Sequence, residues 1–382
     1  MPKHATGLYK QKQSQIWHID KRIKGFGRLC ESTGSGEIRE AERYLNRRLE
    51  EIRQASVYGV RPKHKFREAA TKFLLENQHK RSIVTDSYHL EQLDEWIGDL
   101  TIDKIHDGTL QPFVKHRLSS GKKHKTVNLA LGLVRRILNL AARSWRDEFG
   151  NTWIQSCPMI TMLPLTDARE PYPLSWEEQT LFLKHQKPHI QRMALFKVNT
   201  GLREDEVCQL RWSWEIKVNE LETSVFLIPK EIVKNKEDRL VVLNQVAKNV
   251  IDECRGEHDQ FVFTFKLGKK SKPVPTASMN NSAWVKGRTS AANEYREVFG
   301  IDAPDGFKNL RVHDLKHTFG RRLRAAGVPL ETRKVLLGHK NGDITSHYSA
   351  PELMELLNAA NSICLSDSRK TPELTLLKRK TA

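Results

Sequence analysis

Along the chain the spacing of hydrophobic and polar positions changes several times, and each change predicts an element. In residues 7–34, GLYKQKQSQIWHIDKRIKGFGRLCESTG, apolar and polar residues alternate, so that Trp17 and Ile19 take one face and Ile16 and His18 the other, and KGFG supplies a turn. This pattern predicts a small antiparallel sheet of two or three strands. From Glu37 the period becomes helical: EIREAERYLNRRLEEIRQA puts Ala41, Tyr44, Leu45 and Leu49 on one side. The stretch SVYGVRPKHK (56–65) has linker composition, and residues 66–160 then return to three- and four-residue steps. Val127, Leu131, Val134 and Leu138 form one such stripe, and several helices of this length make an independent helical domain.

A second linker, SCPMITMLPLTDAREPYPLS (156–175), leads into the largest unit, roughly 170–355. It opens with a capping-box pattern at Ser175 and Glu178, followed by the apolar helix MALFKVNTG. The segment SVFLIPKEIVKNKEDRLVVL (224–243) has apolar runs on both sides of a charged turn, and the rest to Ala360 is mostly helical. PELMELLNAANSI (351–363) is a short amphipathic helix, suited either to local packing or to docking on a neighbouring copy. The predicted fold class is mixed, mainly α with small β-sheets: a β-sheet-plus-helix module (1–55), a linker (56–65), a helical domain (66–160), an α+β unit (170–355) and a helix end with a basic tail (356–382).

Composition narrows the function. The formal net charge of +18 and 29% charged residues make the molecule attractive to polyanions, of which nucleic acid is the usual one. The five cysteines, Cys30, Cys157, Cys208, Cys254 and Cys364, lie far apart with no zinc spacing, which predicts reduced thiols rather than a disulfide framework. With neither a signal-peptide pattern at MPKHATGLYKQKQSQ nor an apolar run long enough for a membrane helix, the expected setting is cytoplasmic, without a membrane partner.

Four stretches of the 170–355 unit carry candidate chemistry. TGLREDEVCQLRW (200–212) contains Arg203 and Glu206, and KNKEDRLVVL (234–243) puts Lys234 on a hairpin turn. RVHDLKHTFG (311–320) supplies His313, Lys316 and His317, at spacings that would share one helix face, and LLGHKNGDITSHYS (336–349) supplies His339 and Tyr348. Singly, each has an ordinary explanation as a surface ion pair, a solvated lysine, a structural histidine or a core-anchoring tyrosine. As an ordered set, TGLR-x-x-E, a hairpin lysine, H-x-x-[R/K]-H, LGH and a tyrosine nine residues later, they resemble the tyrosine recombinase (phage integrase) family. The upstream layout resembles that family too: 66–160 looks like its helical, SAM-like core-binding domain and 7–55 like its arm-type DNA-binding module.

The resemblance implies a site-specific recombinase that cuts and rejoins double-stranded DNA through a covalent 3′-phosphotyrosine link, without a cofactor or metal. It implies integration or excision of a prophage or mobile element, by a homotetramer on attachment sites, with DNA-bending accessory proteins as possible partners. Tyr348 would be the nucleophile, Arg203 a two-pronged grip on non-bridging oxygens, and His339 a donor to the same phosphate. Lys234 matches the lysine that protonates the 5′-hydroxyl leaving group, His313 a position that orients phosphate and assists proton movement, and Glu206 the supporting carboxylate. The family normally has H-x-x-R where this chain has HDLKH, so Lys316 stands in the place of the second arginine, 23 residues before His339. Lysine keeps the charge but not the bidentate geometry. HDLKH is therefore expected to be a phosphate-facing helix turn in an active enzyme. The rival readings are a catalytically weakened DNA-binding or regulatory relative, a type IB topoisomerase and a basic DNA-packaging protein.

Overall fold

The computed structural model describes residues 7–11, 14–268, 271–339 and 350–364, which fall into two compact units, Met1–Arg169 and Glu170–Ala382. In the first unit β1 (Leu8–Lys10), β2 (Trp17–Ile23) and β3 (Gly27–Ser32) form the antiparallel sheet, in the order β1-β2-β3. Alternation puts Leu8, Ile19 and Leu29 on the buried face, against Ala41, Leu45 and Ile52 of α1 (Ile38–Tyr58). That helix runs into the predicted linker because its stop signal is Gly59, in the left-handed region at φ 65°. The amides of Gly59 and Val60 donate back to the carbonyls of Ala55 and Gln54, closing the last turn.

Helices α2 (Phe66–Glu76), α3 (Ile83–Ile97), α4 (Asp107–Ser119) and α5 (His124–Arg143) make up the rest of this unit. Phe66, Phe73, Leu93, Phe113, Val134 and Leu138 fill their common core, and Ile160 of the extended segment that follows is buried there as well. The sequence separates 1–55 from 66–160. In the structure Phe149 packs on the sheet–α1 core and Arg48 reaches Glu148 at 2.9 Å, so both parts lie within one compact unit.

The second unit opens with α6 (Trp176–Lys184), whose capping box is formed: Glu178 accepts from the Ser175 amide at 2.9 Å, and the Ser175 hydroxyl accepts from the Glu178 amide at 3.1 Å. A cap of this kind contributes about 1 kcal/mol. Next come α7 (Pro188–Thr200) and α8 (Glu204–Cys208), then an antiparallel sheet of β4 (Glu215–Val218), β5 (Thr223–Ile228) and β6 (Arg239–Val242). The charged turn 229–238 joins β5 to β6, and β4 is an added edge strand that the apolar pattern did not reveal. After α9 (Gln245–Cys254) the two-residue strands β7 (Thr264–Phe265) and β8 (Val274–Pro275) pair. The chain continues through α10 (Ser282–Phe299), α11 (Asp305–Lys308), α12 (Val312–Ala325), α13 (Leu330–Leu337) and α14 (Ala350–Asn361).

Phe182, Phe196, Phe226, Trp284 and Phe307 centre the main core of this unit. A second core joins Phe319 and Leu323 of α12 and Leu336 of α13 to Leu356, Ala360 and Ile363 at the C-terminal end. Helix α14 is thus packed on its own unit. Asn361 Oδ1 accepts from the Gln245 amide at 2.9 Å, and the Ala360 carbonyl accepts from Asn244 at 3.3 Å. Among the described residues no disulfide links the cysteines, and Cys208 and Cys254 are buried in the main core.

Candidate active site

The site begins at the end of α7. Gly201 takes φ 63°, a left-handed conformation, and a Cβ there would meet Phe319 at 2.5 Å, so the TGLR corner needs glycine for both conformation and space. Leu202 is buried beneath it, and Arg203 becomes the residue capping α8. The Glu206 carboxylate accepts from the Arg203 amide at 2.7 Å and from its guanidinium at 2.8 Å. The guanidinium is therefore held from one side while its side chain stays 22% exposed. Its other nitrogen lies 3.4 Å from Asn235 Oδ1 and 3.5 Å from the Gly338 carbonyl, at the outer limit of hydrogen bonding.

The LGH corner closes the other side. Helix α13 ends at Gly338, φ 58°, and the next residue is His339, which is exposed. Three neighbours hold the corner: Lys316 Nζ donates to the Leu337 carbonyl at 2.5 Å, Arg239 Nη1 donates to the same oxygen at 2.9 Å, and Asn235 Nδ2 donates to the Gly338 carbonyl at 3.2 Å. Arg203, Glu206, Lys316 and His339 thus meet around one backbone corner. Lys234 is exposed on the turn beside Asn235, and His313 lies one helical turn before Lys316. Tyr348 lies outside the described residues, as do its neighbours in 340–349.

HDLKH departs from its expected arrangement. His313 and His317 are exposed one turn apart, with ring centroids 4.9 Å apart, edge to face. Lys316 points the other way and is 5% exposed, its ammonium turned under the LGH corner. Lys316 lies toward the inner face of α12, the one packed on α7 and α13, while the two histidines lie toward the outer one. Asp314, also buried, accepts from the Arg311 and Tyr172 amides and fixes the start of the helix.

Charge is crowded around this corner. Glu206 is buried and, although burial alone would raise its pKa, Arg239 and Arg203 hold it below the usual carboxylate range. Beneath it lies Lys197, 0% exposed, whose ammonium donates to the Leu202 carbonyl. Burial pushes Lys197 down to about 7 and Lys316 down to about 6, the latter helped by the charges of Arg239 and Arg203. Burial and the neighbouring His317, Lys197 and Lys316 push His313 to about 4, and burial with the same kind of cationic surroundings lowers His339. At neutral pH both imidazoles are uncharged. An arriving phosphate would reverse this balance, since an anion favours the protonated amines.

Sequence reasoning missed Asn235, Arg239 and Lys197. Each had a faint signal: Asn235 adjoins Lys234, Arg239 heads an apolar strand, and Lys197 interrupts the apolar helix MALFKVNTG. Among the described residues no group of acidic, histidine and cysteine side chains is placed to hold a metal ion, and no helix is long and apolar enough to cross a membrane.

Residues 177–353 match the family model described as the phage integrase family. That segment, which holds Arg203, Glu206, Lys234, His313, Lys316 and His339, is a domain of the phage integrase family. It is 24% identical over 365 residues to the integrase of Salmonella phage P22, an alignment covering 88% of this chain and 89% of that one. Among solved tyrosine recombinase structures, the fold is similar to that of a lambda integrase dimer bound to a COC′ core site, with TM-score 0.53, 11% identity, and 92% and 94% of the two chains covered. It is also similar to that of a lambda integrase tetramer bound to a Holliday junction, with TM-score 0.50, 11% identity and coverage of 90% and 98%. At these identities the structural likeness speaks for the fold: mainly helical, with small sheets, as the hydrophobic pattern predicts.

Proposed function

We propose that this tyrosine recombinase cuts and rejoins double-stranded DNA at specific sites through a 3′-phosphotyrosine, in the integration or excision of a mobile element. The observation that carries the reading is the meeting of Arg203, Lys316 and His339 at the Leu337–Gly338 corner, with Lys234 on the adjoining turn. In the proposed step the Tyr348 oxygen bonds to phosphorus and the P–O5′ bond breaks. The phenolic proton passes to the neutral imidazole of His313, and Lys234 protonates the leaving 5′ oxygen. Arg203 and His339 donate to the non-bridging oxygens, and Lys316 adds positive charge from beneath. The bond energy stays in the phosphotyrosine, so resealing needs no high-energy cofactor.

For the assembly we propose a homotetramer on two paired sites, with DNA-bending proteins as candidate accessories, in the cytoplasm where its DNA lies. Family membership and the likeness to the lambda integrase assembly support this.

A nicked suicide duplex carrying the DNA that flanks the gene tests the chemistry. A covalent adduct on a denaturing gel that disappears in Tyr348→Phe is the expected result. An adduct absent from the native protein but restored by Lys316→Arg, with binding intact, would favour a weakened relative in which the buried lysine is too poor a cation.

A further inference from the structure

Arg239 heads β6, immediately after the turn that carries Lys234, and is 4% exposed. Its guanidinium donates to three backbone carbonyls: Leu337 at 2.9 Å, Leu336 at 3.3 Å and Gly201 at 3.3 Å. It also lies 3.4 Å from Glu206 Oε2, the carboxylate that holds Arg203. The carbonyls belong to the C-terminal ends of α7 and α13, where helices leave oxygens without intrahelical partners and carry partial negative charge. One planar cation therefore joins two helix ends to the buried carboxylate of Glu206.

Gly338 records how close this contact is. A Cβ on Gly338 would fall 2.0 Å from Arg239 Nη1, so the backbone that leads into His339 rests directly on the guanidinium. Burial keeps Arg239 away from substrate, so its part is played through Arg203 and His339. A planar fork with several fixed donors can serve these acceptors at once, which the single ammonium of a lysine cannot do.

We propose that Arg239 is a positioning residue for strand cleavage, setting Arg203 and His339 at a fixed separation by joining Glu206 to the end of α13. The proposal rests on the recombinase reading above. The test uses the full chain as native protein, Arg239→Lys and Arg239→Met. Three quantities are measured: the single-turnover rate of adduct formation on the nicked duplex at saturating protein, the Kd for the same duplex, and the NMR resonances of the His339 ring through a pH titration.

Arg239→Lys should remain folded and bind within about threefold, while its adduct rate falls by roughly 10–10². Arg239→Met should fall by roughly 10²–10³. The His339 resonances should shift in both variants. In Arg239→Met the ring should also titrate at higher pH, because the Arg239 charge is one of those holding its pKa down. Native adduct rates in Arg239→Lys with unmoved His339 resonances would overturn the proposal. So would a loss of cleavage that only follows a loss of DNA binding. If the native protein forms no adduct, the recombinase reading fails, and the His339 resonances still decide whether Arg239 holds that residue.

Discussion

In the N-terminal unit Arg48 meets Glu31, Glu51 and Glu148 at the solvent boundary, and Arg67 meets Asp94 and Asp99 in the open. In the C-terminal unit Lys197, Arg239 and Lys316 lie under the surface around one buried carboxylate, Glu206. Surface pairs such as those of Arg67 are screened by solvent and salt and contribute little. Buried cations that outnumber their anions cost stability, because their desolvation is not repaid by partners of opposite sign. In the second unit burial instead drives Lys197 and Lys316 toward their neutral forms, and an anion at that corner would favour the protonated ones. Placement of charge thus separates a unit whose cations pair at or near the surface from one whose cations are buried at a single corner.

Substitutions in the two units test this contrast. The largest effect is expected at Arg203→Ala, which should lower the adduct-forming rate by about 10³ with DNA binding changed little, read by single-turnover cleavage. Lys197→Met should go the other way on stability. The native pKa of about 7 lies below the ordinary 10.5, so between these values the unfolded chain holds a proton that the native state lacks. Stability carried by the neutral form is therefore present at high pH and lost as pH falls through that window. Removing the amine should raise stability at pH 7 by about 1–3 kcal/mol after allowing for the Leu202 carbonyl left without its donor, and by less at pH 10. Thermal melts at the two pH values check this.

Smaller effects belong to the first unit. Lys122 and Lys125 are exposed in the loop before and at the start of α5. Their replacement by alanine should weaken DNA binding with little regard to sequence. It should also flatten the salt dependence by about one unit of slope for each phosphate no longer neutralised, measured by titration at several salt concentrations. Arg67→Ala should leave the midpoint of denaturant unfolding almost unmoved, since its ion pairs are exposed and screened. A larger destabilisation there would erase the distinction between the two units.

Much of the fold was legible because periodicity reports on faces. The strands that bury Leu8, Ile19 and Leu29, the stripe Val127–Leu131–Val134–Leu138 and the Ser175–Glu178 cap all depend on neighbours a few residues away. The site was legible as an ordered list, since Arg203, Glu206, Lys316 and His339 lie in separable motifs. Which way Lys316 points, and that Arg239 is buried at all, depend on the carbonyls of α13, some twenty and a hundred positions further along the chain. No local pattern encodes such a pairing. The end of α1 was misjudged for the opposite reason: Ser56 and Val57 look like linker residues until Gly59 is recognised as the stop.

Packing of α14 on its own unit ties the end of the chain to the candidate site from behind. The helix that begins at Ala350 is anchored through Leu356, Ala360 and Ile363, in the same small core as Phe319 and Leu323 of α12 and Leu336 of α13. Those two helices carry Lys316 and the Leu337–Gly338 corner, so the corner rests on a core that is complete only when the last helix is seated. A change that loosened Leu356 or Ile363 would slacken that footing while leaving every side chain around the corner in place.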